Sequence, residues 1–220
     1  MWYTDTVYRV EKCIRINHIK RGITGMRVLG IDPGYAIVGW GVVDYDVPKF
    51  TAVDYGAVTT PAGMEFGQRL KGVYGGVSKV IEIYKPDAIS LEQLFYQHNQ
   101  TTVIGVAEAR GVVLLAAAQA DVPVFEYTPM QVKQSVTGYG KAVKKQVQEM
   151  TRMMLKLPGI PKPDDTADAL AMAITHAQSS GSQQFDVNKL LERAQTPTVN
   201  GMTRLQMLEK TLTAKGRKQK

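Results

Sequence analysis

The sequence predicts an α/β fold: a mixed five-stranded sheet with helices on its faces. Three short segments rich in Val, Ile, Tyr and Trp follow one another between residues 26 and 58, which predicts three strands in meander order. Beyond them, helical and strand patterns alternate, as is typical of parallel strands joined by helices. The chain has 220 residues, of which 44% are hydrophobic, so it can bury one full core.

Each element of this fold follows from its local pattern. Strands are predicted where β-branched and aromatic residues run between turn residues, at 26–32, 36–46, 50–58, 87–92 and 122–128. Helices are predicted where apolar residues recur at helical spacing, at 63–84, 101–120, 129–136, 141–157 and 166–178. Pro33 and Gly34, directly after the first strand, predict a type II turn that brings the second strand alongside it.

Charge divides the chain into three parts. The formal net charge is +7, and most of the basic excess lies in residues 1–25 and 186–220, whereas the segment between them is almost neutral. We therefore expect an N-terminal extension over 1–25, either disordered or produced by a non-native start. A folded domain is expected over 26–180, followed by a basic, flexible C-terminal tail over 181–220.

Composition disfavours several classes of protein. Cys13 is the single cysteine, which excludes an internal disulfide and suits a reducing compartment. Apolar segments such as 112–118 are far shorter than the roughly 20 residues of a membrane-spanning helix. The first 25 residues contain no continuous apolar segment of the kind found in secretory signals. We expect a cytoplasmic protein that does not associate with membranes.

A concentration of basic residues lies inside the expected domain. Residues 133–162 contain seven Lys or Arg against one acid, Glu149. In the predicted helix 141–157 the apolar positions form one face: Val143, Val147, Met150, Met154 and Leu157. The opposite face carries Lys141, Lys145, Gln148, Arg152 and Lys156. Such a face can simply be solvated, or it can bind a polyanion such as nucleic acid.

Four acidic residues stand at the ends of predicted elements. Asp32 ends the first strand and Glu92 the fourth, although burial of a carboxylate is costly unless something compensates its charge. Asp165 and Asp168 are three residues apart at the start of the last helix and project from one face. Strand punctuation could explain the first pair, and an N-cap with its capping-box partner could explain the second. Four acids that the sheet brings together instead favour a site that holds a cation.

Five segments together resemble one family, in order and in spacing, from Met26 to Gln178. They read LGIDPGYAIVGWGVV, ISLEQLFYQHN, ARGVVLLAA, VPVFEYTPMQVKQSVTGYG and DDTADALAMAITHA. In their order and spacing, these segments resemble the RuvC-type Holliday-junction resolvases of bacteria. This resemblance implies a ribonuclease H-like fold and hydrolysis of phosphodiester bonds in four-way junctions. It also implies a catalytic tetrad of Asp32, Glu92, Asp165 and Asp168.

The implied chemistry is metal-dependent. Carboxylates are the ligands that Mg²⁺ prefers, and two Mg²⁺ ions per site would activate water and stabilise the leaving oxygen, with Mn²⁺ as a substitute. Asp164 is a further acid beside the tetrad, so the identity of the third ligand is open. His18, His98 and His176 are scattered, which leaves no ligand set for zinc.

The resemblance also implies DNA contacts and partners. Lys133 and Lys144 match family lysines that contact the DNA backbone, and Phe95 matches an aromatic residue implicated in opening the junction, although it could simply pack beneath its loop. Lys141, Lys145 and Arg152 of the basic face are further candidate contacts. The implied partners are four-way junction DNA, a second copy in a homodimer, and a branch-migration complex of the RuvA and RuvB type.

Two other functions remain alternatives at this point. An actin-like ATPase or sugar kinase also carries a GIDPG-like turn, but it needs a nucleotide pocket in a far longer chain, and GYGKA at 138–142 is not a phosphate-binding P-loop. A non-catalytic DNA-architectural protein would need the basic face and not the four acids. Metal-dependent nicking of a four-way junction separates all three functions.

Overall fold

The fold is taken from a computed structural model, which describes residues 25–94 and 100–195. The chain divides into two compact units, Met1–Gln178 and Ser179–Lys220. The strands are β1 (Met26–Asp32), β2 (Ile37–Asp46), β3 (Lys49–Thr59), β4 (Ala88–Glu92) and β5 (Val124–Tyr127). They form one sheet in the order β3-β2-β1-β4-β5.

The sheet is mixed, as the sequence predicts. β1 pairs antiparallel with β2, and β2 pairs antiparallel with β3, so the first three strands form the predicted meander. β4 is parallel to β1, and β5 is parallel to β4. The prediction of a mixed five-stranded sheet in a ribonuclease H-like fold is confirmed.

The described residues form five helices. They are α1 (Phe66–Tyr84), α2 (Gln100–Gln119), α3 (Pro129–Thr137), α4 (Lys144–Met154) and α5 (Asp164–Gln195). Each corresponds to a predicted helix, but α5 starts at Asp164 and not at residue 166, and it continues past residue 178. None of the helices in the described ranges is both long and apolar enough to cross a bilayer.

The apolar face predicted for α4 is partly wrong. The helix starts only at Lys144, because the backbone of Val143 is extended and its N–H donates to Oε1 of Gln146 at 3.0 Å. Val143 is consequently 62% exposed, and Lys141 lies ahead of the helix. Gln148, predicted on the basic face, is buried. The face that packs inward is centred on Val147 and Thr151.

Apolar side chains fill both sides of the sheet. On one side, Leu29 and Ile31 of β1 pack in a cluster with residues of α1 and α2 such as Val77 and Val113. On the other side, Val28 packs in a cluster with residues of α3, α4 and α5. Alternate residues of β1 therefore face different helical layers, as the period of a strand requires. This alternation decides which side of the sheet Asp32 faces.

Candidate active site

Asp32 and Glu92 lie side by side because their strands are parallel neighbours. Ile31 of β1 is paired with Leu91 of β4, so the next residues along the two strands, Asp32 and Glu92, end the pair together. Adjacent strands lie about 4.8 Å apart. Ile31 and Leu91 both face the layer of α1 and α2, and the two carboxylates therefore face the layer that contains α5.

Glycines in the strands allow α5 to approach this edge of the sheet. A β-carbon on Gly30 would lie 1.9 Å from the carbonyl oxygen of Ala169, and one on Gly39 would lie 2.1 Å from that of Asp165. Gly39 is also the residue of β2 that is paired with Asp32. The backbone of α5 thus lies directly on the sheet next to Asp32, which any larger residue at these positions would prevent.

These glycines are not among the residues that the sequence predicts for the site. The signal is nevertheless present, since Gly30, Gly39 and Gly41 alternate with apolar residues inside strands, where glycine is otherwise unfavourable. The predicted type II turn at Pro33 and Gly34 is wrong, because Gly34 does not adopt the backbone conformation that this turn needs. Gly34 lacks the positive φ that a type II turn requires, and a β-carbon there would lie 2.4 Å from the carbonyl oxygen of Ile37.

Three of the four predicted acids meet at one cavity. A cavity of about 190 Å³ is lined by Asp32, Glu92 and Asp168, together with Lys133 and Lys144. Asp165 is not among the residues that line it, but its charge raises the pKa of Asp32 and so lies close by. The structure thus brings strand ends and helix start together, and the backbone of Asp165 packs on Gly39, the residue paired with Asp32.

Helix capping does not explain the acids of α5. The helix starts at Asp164, so Asp165 lies within the first turn and is not the N-cap. Asp168 accepts a hydrogen bond from Nζ of Lys144 at 2.8 Å and does not close a capping box with Asp165. The N–H of Thr166 bonds to the carbonyl oxygen of Pro163 at 3.0 Å. The spacing of Asp165 and Asp168 therefore requires another explanation.

Burial and mutual repulsion raise the pKa values of the carboxylates, so simultaneous ionisation of all of them is unfavourable. Burial, followed by the charges of Asp168, Asp165 and Glu92, raises the pKa of Asp32 to about 8. Burial also raises the pKa of Glu92 and of Asp168, and each of these is raised further by another acid of the group. The protein thus concentrates more negative charge at this cavity than its own groups neutralise, which favours a cation.

Lys144 supplies part of the missing positive charge. Its hydrogen bond to Asp168 raises the pKa of Lys144, and its charge lowers the pKa of both Asp32 and Glu92. Within the described part of the chain, no three His, Cys, Asp or Glu side chains converge tightly enough to hold a metal ion. The potential ligands are nevertheless all carboxylate oxygens, which fit a hard divalent cation. In this structure the ammonium group of Lys144 forms an ion pair with one of these carboxylates, that of Asp168.

The other predicted residues are distributed around this cavity or away from it. Asp164 accepts a hydrogen bond from Nζ of Lys162 at 2.6 Å, which lowers its pKa, and its Oδ2 also lies 4.0 Å from Nζ of Lys144. Lys141 and Lys145 are exposed. Nε of Arg152 bonds to Oε1 of Glu149 at 2.9 Å. Phe95 lies outside the described residues.

Comparison with known proteins identifies the family. Residues 28–176 match the family model described as "Crossover junction endodeoxyribonuclease RuvC". Proteins of that name from Brevibacillus brevis and Clostridioides difficile are 57% and 55% identical to this chain; each alignment covers 70% of the chain and 92% of the relative. These values are far above those at which only a fold is shared.

Solved structures agree with the sequence comparison. The structure of Thermus thermophilus RuvC in complex with a Holliday junction substrate superposes with a TM-score of 0.67 at 38% identity, covering 70% of this chain and 94% of that one. A yeast mitochondrial Holliday junction resolvase, 14% identical, shares the fold with a TM-score of 0.56 over 76% of this chain and 86% of its own. The chain belongs to the crossover junction endodeoxyribonuclease RuvC family.

Proposed function

We infer that this protein resolves Holliday junctions by hydrolysing phosphodiester bonds, in homologous recombination and DNA repair. The observation that carries this function is the group of Asp32, Glu92 and Asp168 around one cavity with two lysines beside them, in a chain 57% identical to a crossover junction endodeoxyribonuclease. An architectural DNA-binding protein would have no use for buried carboxylates with raised pKa values.

We propose that Asp32, Glu92, Asp165 and Asp168 hold the metal, with two Mg²⁺ ions per site and Mn²⁺ as a substitute. The support is the all-oxygen donor set and the raised pKa of Asp32, which a nearby cation would lower again. Such a cation supplies Lewis-acid stabilisation of phosphoryl oxygens and a bound water of lowered pKa. The carboxylates fix its position, because Asp32 and Glu92 are held by paired strands.

The lysines of the cavity act on the DNA. A phosphate that enters a cavity lined by three carboxylates is repelled, and Lys133 and Lys144, which line the same cavity, offset that repulsion. Nζ of Lys144 is bound to Asp168 and is half exposed, so it can exchange this carboxylate for a phosphate oxygen. Lys141, Lys145, Arg152 and Phe95 remain proposed contacts along the arms of the junction.

We propose that two copies form a homodimer through the outer face of α2 and the adjoining edge strand β5. Ile104 and Leu115 of α2 are 62% and 52% exposed, and Phe125 of β5, whose ring stacks on His176 of α5 on the other side of the sheet, is also exposed. β5 is the last strand of the sheet, and an exposed edge with apolar neighbours favours association with a second chain. A two-fold dimer would present two equivalent sites to two strands of a nearly two-fold symmetric junction.

The remaining partners are proposals from the family. A resolvase acts on junctions that branch migration moves, so we propose a branch-migration complex of the RuvA and RuvB type as a partner. The relatives named above are bacterial, and their DNA lies in the cytoplasm, where we expect this protein to act.

A labelled synthetic four-way junction tests the proposed function. With Mg²⁺ we expect paired nicks at symmetric positions in two strands of like polarity, with 5′-phosphate and 3′-hydroxyl ends that ligase seals. We expect no nicking in EDTA or with Asp32→Asn as the matched control. Junction binding without nicking in Mg²⁺ would favour the architectural alternative, and nucleotide hydrolysis independent of DNA would favour the actin-like ATPase or sugar-kinase alternative.

A further inference from the structure

A second cavity adjoins the first at the ends of β1 and β4. It measures about 260 Å³ and shares Asp32, Glu92 and Pro129 with the first cavity. Its other lining residues include Leu94, Val106 and Arg110. Arg110 is the cation among the described residues that line it, whereas Lys133 and Lys144 line the first cavity. The two cavities therefore have separate positive groups beside the same pair of carboxylates.

Arg110 is held in an unusual way. It belongs to α2 and its side chain is only 16% exposed. One terminal nitrogen, Nη2, forms an ion pair with Oε1 of Glu126 on β5. Its Nε is buried, and within the described ranges of the chain no acceptor bonds to it. A guanidinium carries five N–H donors in a rigid fork, so this one retains donors for an oxygen-rich ligand.

The ion-pair partner of Arg110 among the described residues is Glu126, and not a carboxylate that lines either cavity. Apart from burial, the groups that shift the pKa of Glu92 are Asp168, Lys144 and Lys133. Although Arg110 lines a cavity with Glu92, its guanidinium is not among them. Glu126, its partner, is 41% exposed at the edge of the sheet and holds the side chain in place. The ion pair with Glu126 thus orients a positive fork beside the reaction site.

We propose that Arg110 binds one phosphate of the junction DNA, next to the phosphate that is cleaved. This inference rests on the proposed function, because the ligand is the same DNA strand whose scissile phosphate enters the first cavity. The planar fork matches the oxygens of a phosphodiester, and a second fixed phosphate would set the register of the strand relative to Asp32 and Glu92. Arg110 is thus a substrate-positioning residue, and Glu126 holds it in its binding orientation.

Replacement of single phosphates by neutral methylphosphonates tests this contact directly. Junctions are made with one methylphosphonate at a time on either side of the cleaved bond, and binding is measured in EDTA with wild type and Arg110→Gln. We expect one position at which the neutral linkage weakens binding by wild type about tenfold and leaves binding by Arg110→Gln unchanged. At the same time, Arg110→Gln should lower the slope of log affinity against log salt by about one.

Two further variants separate binding from structure. Arg110→Lys retains the charge without the fork and should keep the salt slope while it lowers kcat/KM for cleavage. Glu126→Gln removes the ion pair and retains the guanidinium, so the affected position should remain the same. Their melting temperatures are measured alongside, and Arg110→Lys replaces Arg110→Gln in the phosphate series if the latter does not fold.

The result that overturns the proposal is equally specific. If the wild type and the Arg110 variant respond alike to every methylphosphonate, while the variant only melts at a lower temperature, Arg110 merely ties α2 to β5. If the wild type does not cut unmodified junctions in Mg²⁺, the proposed function is wrong. If the wild type cuts them but the Arg110 variant shows the same response to every methylphosphonate, only the role proposed for Arg110 is wrong.

Discussion

The two pairs of acids of the predicted tetrad are held by different kinds of structure. Asp32 and Glu92 follow two hydrogen-bonded parallel strands, and the sheet alone fixes their distance. Asp165 and Asp168 come from the first turns of α5, which reaches the sheet only because Gly30 and Gly39 have no side chain. The strand pair is therefore part of the rigid core, whereas the helix pair depends on the packing of a separate element.

The two pairs also differ in how their charge is compensated. Asp168 has a direct partner in Lys144, whose hydrogen bond opposes the effect of burial on its pKa. Asp32 has no hydrogen-bonded cation among the described residues, and its pKa is raised to about 8. The negative charge of the strand pair is thus less completely neutralised by the protein's own groups than that of the helix pair. We expect substitutions in the strand pair to weaken metal binding more strongly than those in the helix pair.

The largest expected effect is that of Asp32→Asn. This change preserves shape but removes the carboxylate with the greatest demand for a cation, so cleavage of a four-way junction should fall at least ~1000-fold, about 4 kcal/mol of barrier. Junction binding should survive because the lysines remain. The measurement is single-turnover cleavage at saturating Mg²⁺ beside a gel-shift titration. Activity within tenfold of wild type would exclude Asp32 as a metal ligand.

A comparison of Asp165→Asn with Asp168→Asn sharpens the contrast within α5. Asp168 lines the cavity and Asp165 does not, so we expect Asp168→Asn to reduce the cleavage rate about 1000-fold and Asp165→Asn about 10- to 100-fold. Asp164→Asn serves as the matched control and should retain activity within about threefold, since Asp164 pairs with Lys162. Equal losses for Asp164 and Asp168 would show that the wrong residue has been assigned.

The sequence predicts the strand pair better than the helix pair, and the reason is physical. The ends of β1 and β4 are visible as local changes from apolar to acidic residues, so Asp32 and Glu92 could be named directly. The contact of Lys144 with Asp168 joins segments that are distant in sequence, and no local pattern encodes it. The sequence places Val143 on the buried face of α4, but the residue is exposed. The reason is that its N–H donates to the side chain of Gln146, and the helix begins only at the next residue.

Addition of Mg²⁺ should stabilise the protein by an amount that depends on the acids. At a concentration about 100 times the Kd, binding to the folded state contributes about 2.7 kcal/mol, or roughly 5–10 °C in melting temperature for a chain of this size. We expect Asp32→Asn to lose most of this shift in a thermal melt. Lys144→Gln should retain or enlarge it, because the competing ammonium is gone. Equal shifts in all three proteins would indicate that the metal binds elsewhere.

The last expected effect concerns the stability of the metal-free protein as a function of pH. The pKa of Asp32 is raised in the folded state to about 8, against about 3.9 when unfolded, so the folded state binds this proton more tightly. In EDTA, wild type should therefore lose stability relative to Asp32→Asn as the pH rises from about 4 to 8, by about 1.4 kcal/mol or a few degrees in melting temperature per pH unit. Asp164 provides the control of opposite sign, because its pKa is lowered by Lys162 and its contribution is lost only as the pH falls below about 4. If the difference in melting temperature between wild type and Asp32→Asn does not change across this window, the pKa of Asp32 is not raised in the folded protein.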